Sequence, residues 1–326
     1  MPHALKGPGF ALLGFLLFSV HDSIIKSIGA GYSPFQIVFF SVLFGFPFAT
    51  MLLMRDASAG TLIPRNPGWI LLRTIAAMIG TVSGFYAFSV LPLSQVYAII
   101  FTVPLLITVL SIPILGERVG IHRWAAVILG LVGVVIVVRP GTAQIELGHI
   151  AALTAALCGA LASVILRRVG SEERSIVIML YPMMGNVLFM GAALPFVYRP
   201  VPMADLGAIA AIALLGFTAG LCIVTAYRRS SAATIAPVQY SQIIWAVIFG
   251  ALFFEEMPDT TTLLGAGVVI TSGLYVLIRE VYSSRSSNTP VLRNRSRLGT
   301  PTALRTGPML HRFKKVDDQD STDKDD

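Results

Sequence analysis

The chain has 326 residues, of which 55% are hydrophobic and only 13% are charged, and its formal net charge is +7 at pH 7. Soluble domains carry about 25% charged residues, so this composition excludes an ordinary soluble protein and indicates one embedded in lipid. Two cysteines and five histidines are too few for a disulfide framework or a zinc cluster, and no metal or cofactor is expected.

Ten apolar stretches of about 20 residues follow one another along the chain, the length that a helix needs to cross a membrane. They are continuously apolar, without alternation of period two, which excludes a transmembrane barrel. The prediction is an all-α membrane protein. Its ten predicted transmembrane helices are 7–29, 33–54, 68–89, 94–115, 122–138, 148–167, 175–197, 205–226, 231–253 and 260–280.

Lysine and arginine divide unevenly between the two sets of connecting loops. Ten lie on one side, and only Lys26, Arg139 and Arg199 lie on the other. Because positively charged loops stay in the cytoplasm, both termini of this multi-pass protein are predicted to be cytoplasmic. The positive charge therefore reflects topology, so membrane lipid is an expected partner and nucleic acid is not.

The last part of the chain, residues 283–326, has a different composition. It is rich in Ser, Thr, Asn, Arg and Pro, and a basic stretch precedes the acidic "VDDQDSTDKDD". Such a segment cannot bury an apolar core, and a disordered cytoplasmic tail is predicted. Its basic part is suited to contact anionic lipid headgroups; the alternative is a solvated tail with no role in the activity.

The chain contains an internal repeat, in which two segments that lie 139 residues apart match each other. One copy closes an apolar helix on Glu117 and the other on Glu256, and "SIIKSIG" and "SVILRRVG" end the first helix of each copy alike. Two five-helix repeats are predicted, over 7–140 and 147–280. Because five is odd, the second is inverted in the membrane, an arrangement typical of secondary transporters. Both glutamates are predicted to be loop or cap residues, with a gating role as the alternative.

The segments that close the two repeats, "GERVGIHRWAAVILGLVGVVIVVRP" and "EEMPDTTTLLGAGVVITSGLYVLI", resemble the EamA family of the drug/metabolite transporter superfamily. The resemblance covers about residues 8 to 280. An Asp followed by Lys late in the first span, "LLRT" opening the third, and "IAPVQY" followed by "EEMPD" resemble the bacterial branch that contains riboflavin and S-adenosylmethionine uptake carriers. Ile243 stands where Pro104 would have its counterpart, so the two repeats are not expected to bend identically.

This resemblance implies a secondary transporter of a small organic metabolite in the bacterial inner membrane, working by alternating access. Riboflavin uptake is the first expectation, and S-adenosylmethionine uptake or export of amino acids or other metabolites are the alternatives. A small-molecule substrate is therefore the expected partner, and a homodimer is left open.

His21, Asp22 and Lys26 interrupt the apolar first span, and such residues inside a bilayer are functional candidates by default. Asp22 and Lys26 are four residues apart with the acid first, the favourable order for a helical pair. They are predicted to line the outer vestibule or to gate it, with His21 and Asp22 able to exchange protons. The alternative is a self-compensated ion pair that ends the helix. Arg73 is either an interfacial anchor or an inward-pointing fork for an anionic group.

The ninth span carries polar and aromatic residues near its middle, just after Pro237. Gln239, Gln242 and Trp245 recur at a spacing of three and share a face, with Tyr240 between them. A proline here frees a backbone carbonyl and can bend the helix at a cavity. Amides beside aromatic rings suit a neutral planar solute, although each residue alone fits a packing role. The residues predicted to complete this substrate cavity are Tyr86, Tyr97, Tyr181 and Asn186.

Motifs of enzymes are missing from the sequence, which has no GxSxG, Walker A or HExxH pattern. An enzyme is therefore not expected. The alternative from another class is a membrane scaffold or receptor that transports nothing. In that case the polar residues near the midplane would satisfy one another, with no cavity between the two repeats.

Overall fold

The structure is a computed structural model that describes residues 6–54, 61–117, 119–139, 146–170, 172–229 and 235–282; the predicted tail lies outside them. All regular structure in these residues is helical. The helices are α1 (Lys6–Gly29), α2 (Pro34–Met54), α3 (Pro67–Val90), α4 (Leu93–Ile100), α5 (Val103–Leu115), α6 (Ile121–Val138), α7 (Leu147–Val169), α8 (Ser175–Val197), α9 (Met203–Arg229), a 3-10 turn (Ala236–Tyr240), α10 (Ser241–Phe253) and α11 (Thr260–Tyr282).

Eight helical stretches in the described residues are long and apolar enough to cross a membrane. One of them, Leu93–Leu115, consists of α4 and α5 together. The two last apolar helices, Pro237–Phe253 and Thr260–Val276, are shorter. The fold is therefore that of a multi-pass membrane protein, while the predicted number of ten spans is not confirmed.

The surface of the bundle is apolar in the way that a lipid environment requires. Large apolar side chains stand exposed on several helices, among them Leu71 on α3, Ile128 on α6, Leu188 on α8 and Leu252 on α10. In water such a surface would drive aggregation. In lipid it costs nothing, and helix association must then come from close packing and from polar contacts between helices.

Two of the predicted spans are interrupted at equivalent places. The fourth predicted span breaks at Phe101 and Thr102, between α4 and α5, and the ninth begins with the 3-10 turn that ends at Tyr240. The repeat offset that relates Glu117 to Glu256 also relates Phe101 to Tyr240. Their rings contact each other, with centroids 5.0 Å apart and planes at 77°. A contact between equivalent residues lies on the axis that relates the two halves.

The two interruptions differ in form, and the prolines explain why. Pro104 lies in the first turn of α5, where a missing N–H costs nothing because that donor has no partner within the helix. Pro237 lies in the first turn of the 3-10 segment, where its missing N–H likewise costs nothing. The two prolines thus begin segments of different kinds. One half therefore bends through a two-residue link and the other through a five-residue 3-10 turn.

The helices of the first half (α1–α6) pack mainly against those of the second half (α7–α11). The main pairs are α1 with α9, α3 with α7, α2 with α8, and α6 with α11. These pairs follow the repeat. The first predicted span of each half packs on the third span of the other half, and the second and fifth spans each pack on their own counterparts. The two halves are interleaved, so each buries its apolar surface against the other.

Hydrogen bonds join the helix ends on one face of the bundle. The Tyr32 hydroxyl donates to Asp205 over 2.5 Å, and the Gln36 side chain exchanges two hydrogen bonds with the Arg199 backbone. The hydrogen bond to Asp205 raises the pKa of Tyr32. This face carries the end of α1 at Lys26 and is called the Lys26 face below.

The opposite ends of the helices meet on a second face. Asn66 donates from its backbone to Glu173 over 2.5 Å, and Arg174 donates to the Thr61 carbonyl over 3.2 Å. These contacts join the link before α3 to the link before α8. This face carries the end of α7 at Arg167 and is called the Arg167 face below.

Glycines bring α6 and α11 into backbone contact. A methyl group on Gly133 would lie 2.7 Å from a Val269 methyl and 2.9 Å from the Gly265 carbonyl oxygen. A methyl group on Gly265 would lie 2.7 Å from the Gly133 carbonyl oxygen. Small residues allow this approach in membranes, where dispersion contacts hold helices together.

Gly133→Ala is expected to lower the stability of the bundle by about 1–3 kcal/mol, because the helices must separate to admit the methyl group. Gly267→Ala on α11 is the matched control, since nothing lies within 4 Å of its added methyl group. That change is expected to be neutral or slightly stabilising. Thermal unfolding of the purified protein in detergent measures both; equal losses would contradict the close approach.

Candidate functional site

A buried polar cluster lies where α1, α4 and α10 meet. The Asp22 carboxylate accepts a hydrogen bond from His21 Nδ1, 2.8 Å from Oδ1, and another from the Tyr97 hydroxyl on Oδ2. The Tyr97 hydroxyl lies 3.3 Å from Ser19 Oγ, and Gln242 Nε2 donates to it over 3.5 Å. All five residues are at most 4% exposed. This polar cluster joins the first half to the second.

Aromatic rings surround the imidazole of the polar cluster. Phe18 and Phe85 meet the His21 ring edge on, with centroids 6.3 and 6.1 Å away. Edge-to-face contacts are a favoured arrangement for aromatic pairs. Tyr86, next to Phe85 on α3, is half buried. The imidazole is thereby held in one orientation towards Asp22.

A second row of rings runs from Tyr97 to the axis between the halves. The centroids of Phe88 and Phe101 lie 5.5 and 6.0 Å from that of Tyr97, and Phe101 packs on Tyr240. The Tyr240 side chain reaches α11, where a methyl group on Gly273 would lie 2.0 Å from its hydroxyl. Only a glycine leaves room there, so Tyr240 is fixed between α10 and α11.

The environment of Asp22 determines what this site can do chemically. An unpaired carboxylate in an apolar interior is too costly to persist, and Asp22 is 3% exposed. Its two donors, His21 and Tyr97, reduce that cost. A carboxylate and an imidazole in direct contact can hold one proton or attract one positively charged group. The site is thus suited to bind a cation or to exchange a proton.

Lys26 has partners outside α1. Its ammonium group donates to the Leu91 carbonyl oxygen over 2.7 Å and lies 2.7 Å from Glu256 Oε1. Both of these partners of Lys26 lie outside α1, and the helical pair of Asp22 and Lys26 that the sequence favoured stays a prediction.

The start of α10 presents two donors beside the polar cluster. Trp245 stacks on Phe249, with centroids 6.2 Å apart. Its Nε1 and the hydroxyl of Ser241 are buried and lack a hydrogen-bond partner among the described residues. Gln239 is half buried in the 3-10 turn. Buried donors of this kind are normally satisfied, so a bound solute or water can complete them.

Three of the predicted site residues have hydrogen bonds to other parts of the bundle. Arg73 Nη1 donates to the Ile178 carbonyl oxygen of α8 over 2.7 Å. The Tyr181 hydroxyl reaches the Leu62 carbonyl oxygen on the Arg167 face over 3.4 Å. Asn186 donates to a carbonyl oxygen of its own helix over 3.0 Å. The cluster itself therefore unites His21, Asp22, Tyr97 and Gln242 of the predicted set.

Sequence reasoning missed Ser19 and Phe101, both of which contact Tyr97. The signal for Phe101 was available, because the repeat offset pairs it with Tyr240. Ser19 lies three residues before Asp22, on the same side of α1. A serine within an apolar helix otherwise bonds its own backbone, and Ser19 also does so, to the Phe15 carbonyl oxygen.

Comparison with known proteins accounts for this architecture. Residues 5–139 and 146–278 each match the model of the EamA-like transporter family, and the chain belongs to that family. The two matches cover both halves of the bundle, in agreement with the resemblance noted in the sequence. The chain is therefore a small-molecule transporter by family.

Relatives of known name cover nearly the full bundle. The chain is 26% identical to an S-adenosylmethionine uptake transporter of Rickettsia bellii, over 86% of this chain and 97% of the relative. It is 26% identical to a pseudopaline exporter of Pseudomonas aeruginosa (84% and 96%) and 25% identical to a riboflavin transporter of Vibrio cholerae (87% and 96%). A crystal structure of 17% identity superimposes with a TM-score of 0.56 over 88% of this chain and 99% of that chain, which supports the fold alone.

Tyr97→Phe is expected to lower stability by about 1–3 kcal/mol, because Asp22 loses a hydrogen-bond donor in an apolar interior. Tyr181→Phe is the control, since its hydroxyl makes an exposed 3.4 Å contact, and a change within about 0.5 kcal/mol is expected there. Thermal unfolding in detergent gives both values. An unchanged melting temperature for Tyr97→Phe would show that Asp22 does not depend on this bond.

Proposed function

We propose that this chain is a secondary transporter that moves a small heteroaromatic metabolite across the bacterial inner membrane by alternating access. The observation that carries the proposal is the position of the polar cluster. Asp22 and Tyr97 come from the first half, and Gln242, which bonds to Tyr97, comes from the second. A binding site at the boundary of two repeats changes its accessibility when one repeat moves against the other.

The proposed topology has ten crossings, arranged as two inverted five-helix halves. The pairing of helix ends on the Lys26 face and on the Arg167 face supports it, because each described link between helices then lies on the side that ten crossings require. The Lys26 face carries the cations Lys26, Arg139 and Arg199 and is proposed to be periplasmic. The more basic Arg167 face and both termini are proposed to be cytoplasmic.

S-adenosylmethionine is the first substrate that we propose. Its sulfonium is a cation, and a buried carboxylate edged by aromatic rings attracts cations through charge and through the ring faces. Asp22, beside the rings around His21, supplies such a setting. Uptake of this compound is therefore the first candidate activity.

Riboflavin uptake, the first expectation from the sequence, is the second candidate. A neutral flavin is not attracted by the charge of a carboxylate. Its ring system can stack on aromatic side chains, and its polar edges can form hydrogen bonds with side-chain amides. Gln242 in the polar cluster and Gln239 in the adjacent turn offer those amides, and the indole N–H of Trp245 is a further donor without a partner in the described residues. Metabolite export is the remaining alternative.

Uptake of radiolabelled S-adenosylmethionine and riboflavin into bacterial cells that cannot import them tests the proposal. Saturable uptake of the first compound is expected, with a loss of about tenfold or more in Asp22→Asn, because the attraction of the carboxylate for the cation is removed. Tyr181→Phe is expected to transport normally. All variants are compared at equal membrane abundance.

The outcomes separate the substrates. Riboflavin uptake that survives Asp22→Asn and is lost in Gln242→Ala would favour the flavin and contradict the cation. Uptake of neither compound above empty-vector cells would overturn both import proposals, and export from preloaded cells would then be measured.

A further inference from the structure

Each half ends its fourth predicted span in the same backbone turn, and this turn positions a glutamate. Gly116 and Glu255 adopt left-handed conformations, with φ of 69° and 55°. The next residues, Glu117 and Glu256, each donate a backbone N–H to the carbonyl oxygen six residues earlier, over 3.4 and 2.9 Å. Such left-handed helix ends are common. They hold the two glutamates at equivalent positions of the two repeats.

Each glutamate forms an ion pair with a cation of the other half. Lys26 Nζ lies 2.7 Å from Glu256 Oε1, and Arg167 Nη2 contacts Glu117 Oε1. Lys26 and Arg167 also match each other, since each lies three residues before the final glycine of "SIIKSIG" or "SVILRRVG". The two ion pairs are therefore equivalent under exchange of the halves, and they lie on opposite faces.

A hydrogen bond to a backbone carbonyl accompanies each ion pair, although the two carbonyls are not equivalent in the repeats. Lys26 also donates to the Leu91 carbonyl oxygen, between α3 and α4. Arg168, beside Arg167, donates to the Ile114 carbonyl oxygen at the end of α5. Each cationic site thus ties an ion pair between the halves to a backbone contact. Lys26 lies one turn beyond Asp22, which places its pair between the polar cluster and the Lys26 face.

Both ion pairs are shielded from water, so breaking either of them costs free energy. The exposed fractions of the side chains are 8% for Lys26 and 27% for Glu256, and 13% for Arg167 and 5% for Glu117. Exposed ion pairs contribute little, but removing one partner of a shielded pair leaves a poorly solvated charge and is costly. One oxygen of each glutamate has no hydrogen-bond partner in the described residues, and water can satisfy it when the pair separates.

Resting on the proposed function, we infer that the Lys26–Glu256 and Arg167–Glu117 pairs are the two gates of the transport pathway, each closing one face and each separating when that face opens. Both pairs are formed in this structure, so under this inference both gates are closed. Because the pairs are equivalent and opposed, weakening one favours opening on its own face and leaves the other face closed.

Two buried serines, one near each ion pair, provide reporters of opening. Ser23 and Ser163 are 8% and 3% exposed, and they begin the two matching segments one turn before Lys26 and Arg167. Ser23→Cys and Ser163→Cys are made separately in a background with Cys158→Ala and Cys222→Ala. Labelling by a hydrophilic maleimide is timed on purified protein in lipid nanodiscs, where both faces are open to the reagent.

The expected result is reciprocal. Glu256→Gln raises the labelling rate at position 23 by about tenfold and lowers it at position 163, and Glu117→Gln does the reverse, a coupling within the usual range between linked sites. Exchanging the charges, with Lys26→Glu and Glu256→Lys together, is expected to return labelling at position 23 towards the parent rate, because the ion pair is restored.

Asp259→Asn is the matched control. Asp259 pairs with Arg139 on the Lys26 face and also joins the two halves, but its side chain is 47% exposed, and less than a twofold change is expected. Parallel increases at both reporters in Glu256→Gln and Glu117→Gln, or no change in either, would overturn the gate assignment. The labelling needs no substrate, so reciprocal labelling without uptake of either compound would refute the proposed substrates and leave the gates standing.

Discussion

A carboxylate placed deep in an apolar helix is the constraint on which this bundle depends. Asp22 must be paired, because an isolated charge there would be neutralised or would unfold its surroundings. Its partners are the neighbouring His21 and Tyr97 from α4. Tyr97 in turn contacts Gln242 from the second half. The requirement to satisfy one charge therefore fixes the position of α1 against α4 and of both against α10.

Because the two halves are interleaved, the contacts that satisfy Asp22 also determine how the halves pack against each other. Glycines such as Gly133 allow the fifth helices to touch along their backbones, and the rings of Phe101 and Tyr240 meet on the axis between the halves. Around this fixed axis, polar contacts concentrate at the boundary and apolar contacts face the lipid. A protein of this design can change shape by moving one half against the other while its central contacts remain.

Much of this fold could be predicted from the sequence, because apolar run length and the internal repeat are local or periodic signals. Four residues of the polar cluster, His21, Asp22, Tyr97 and Gln242, were found by their polarity alone, whereas Ser19 was missed. The partner of Lys26 could not be found, since Glu256 lies in the other repeat and the spacing rule for helices pointed to Asp22. Tyr181 and Asn186 were assigned to the cavity by their depth, and that assignment stays a prediction, because depth does not determine which way a helix faces.

The pairing of α1 with α9 also has a consequence for the order of assembly during synthesis. Gly29 ends α1 and Arg229 ends α9. The ribosome needs about 10–40 s at usual rates of elongation to make the roughly 200 residues between these two ends. Over that interval the first helix, with its buried acid, lacks its principal packing surface. Early α1 must therefore rely on Tyr97 or on helper proteins at the insertion site, and its distance from α9 along the chain sets a lower limit on how long the nascent chain needs protection.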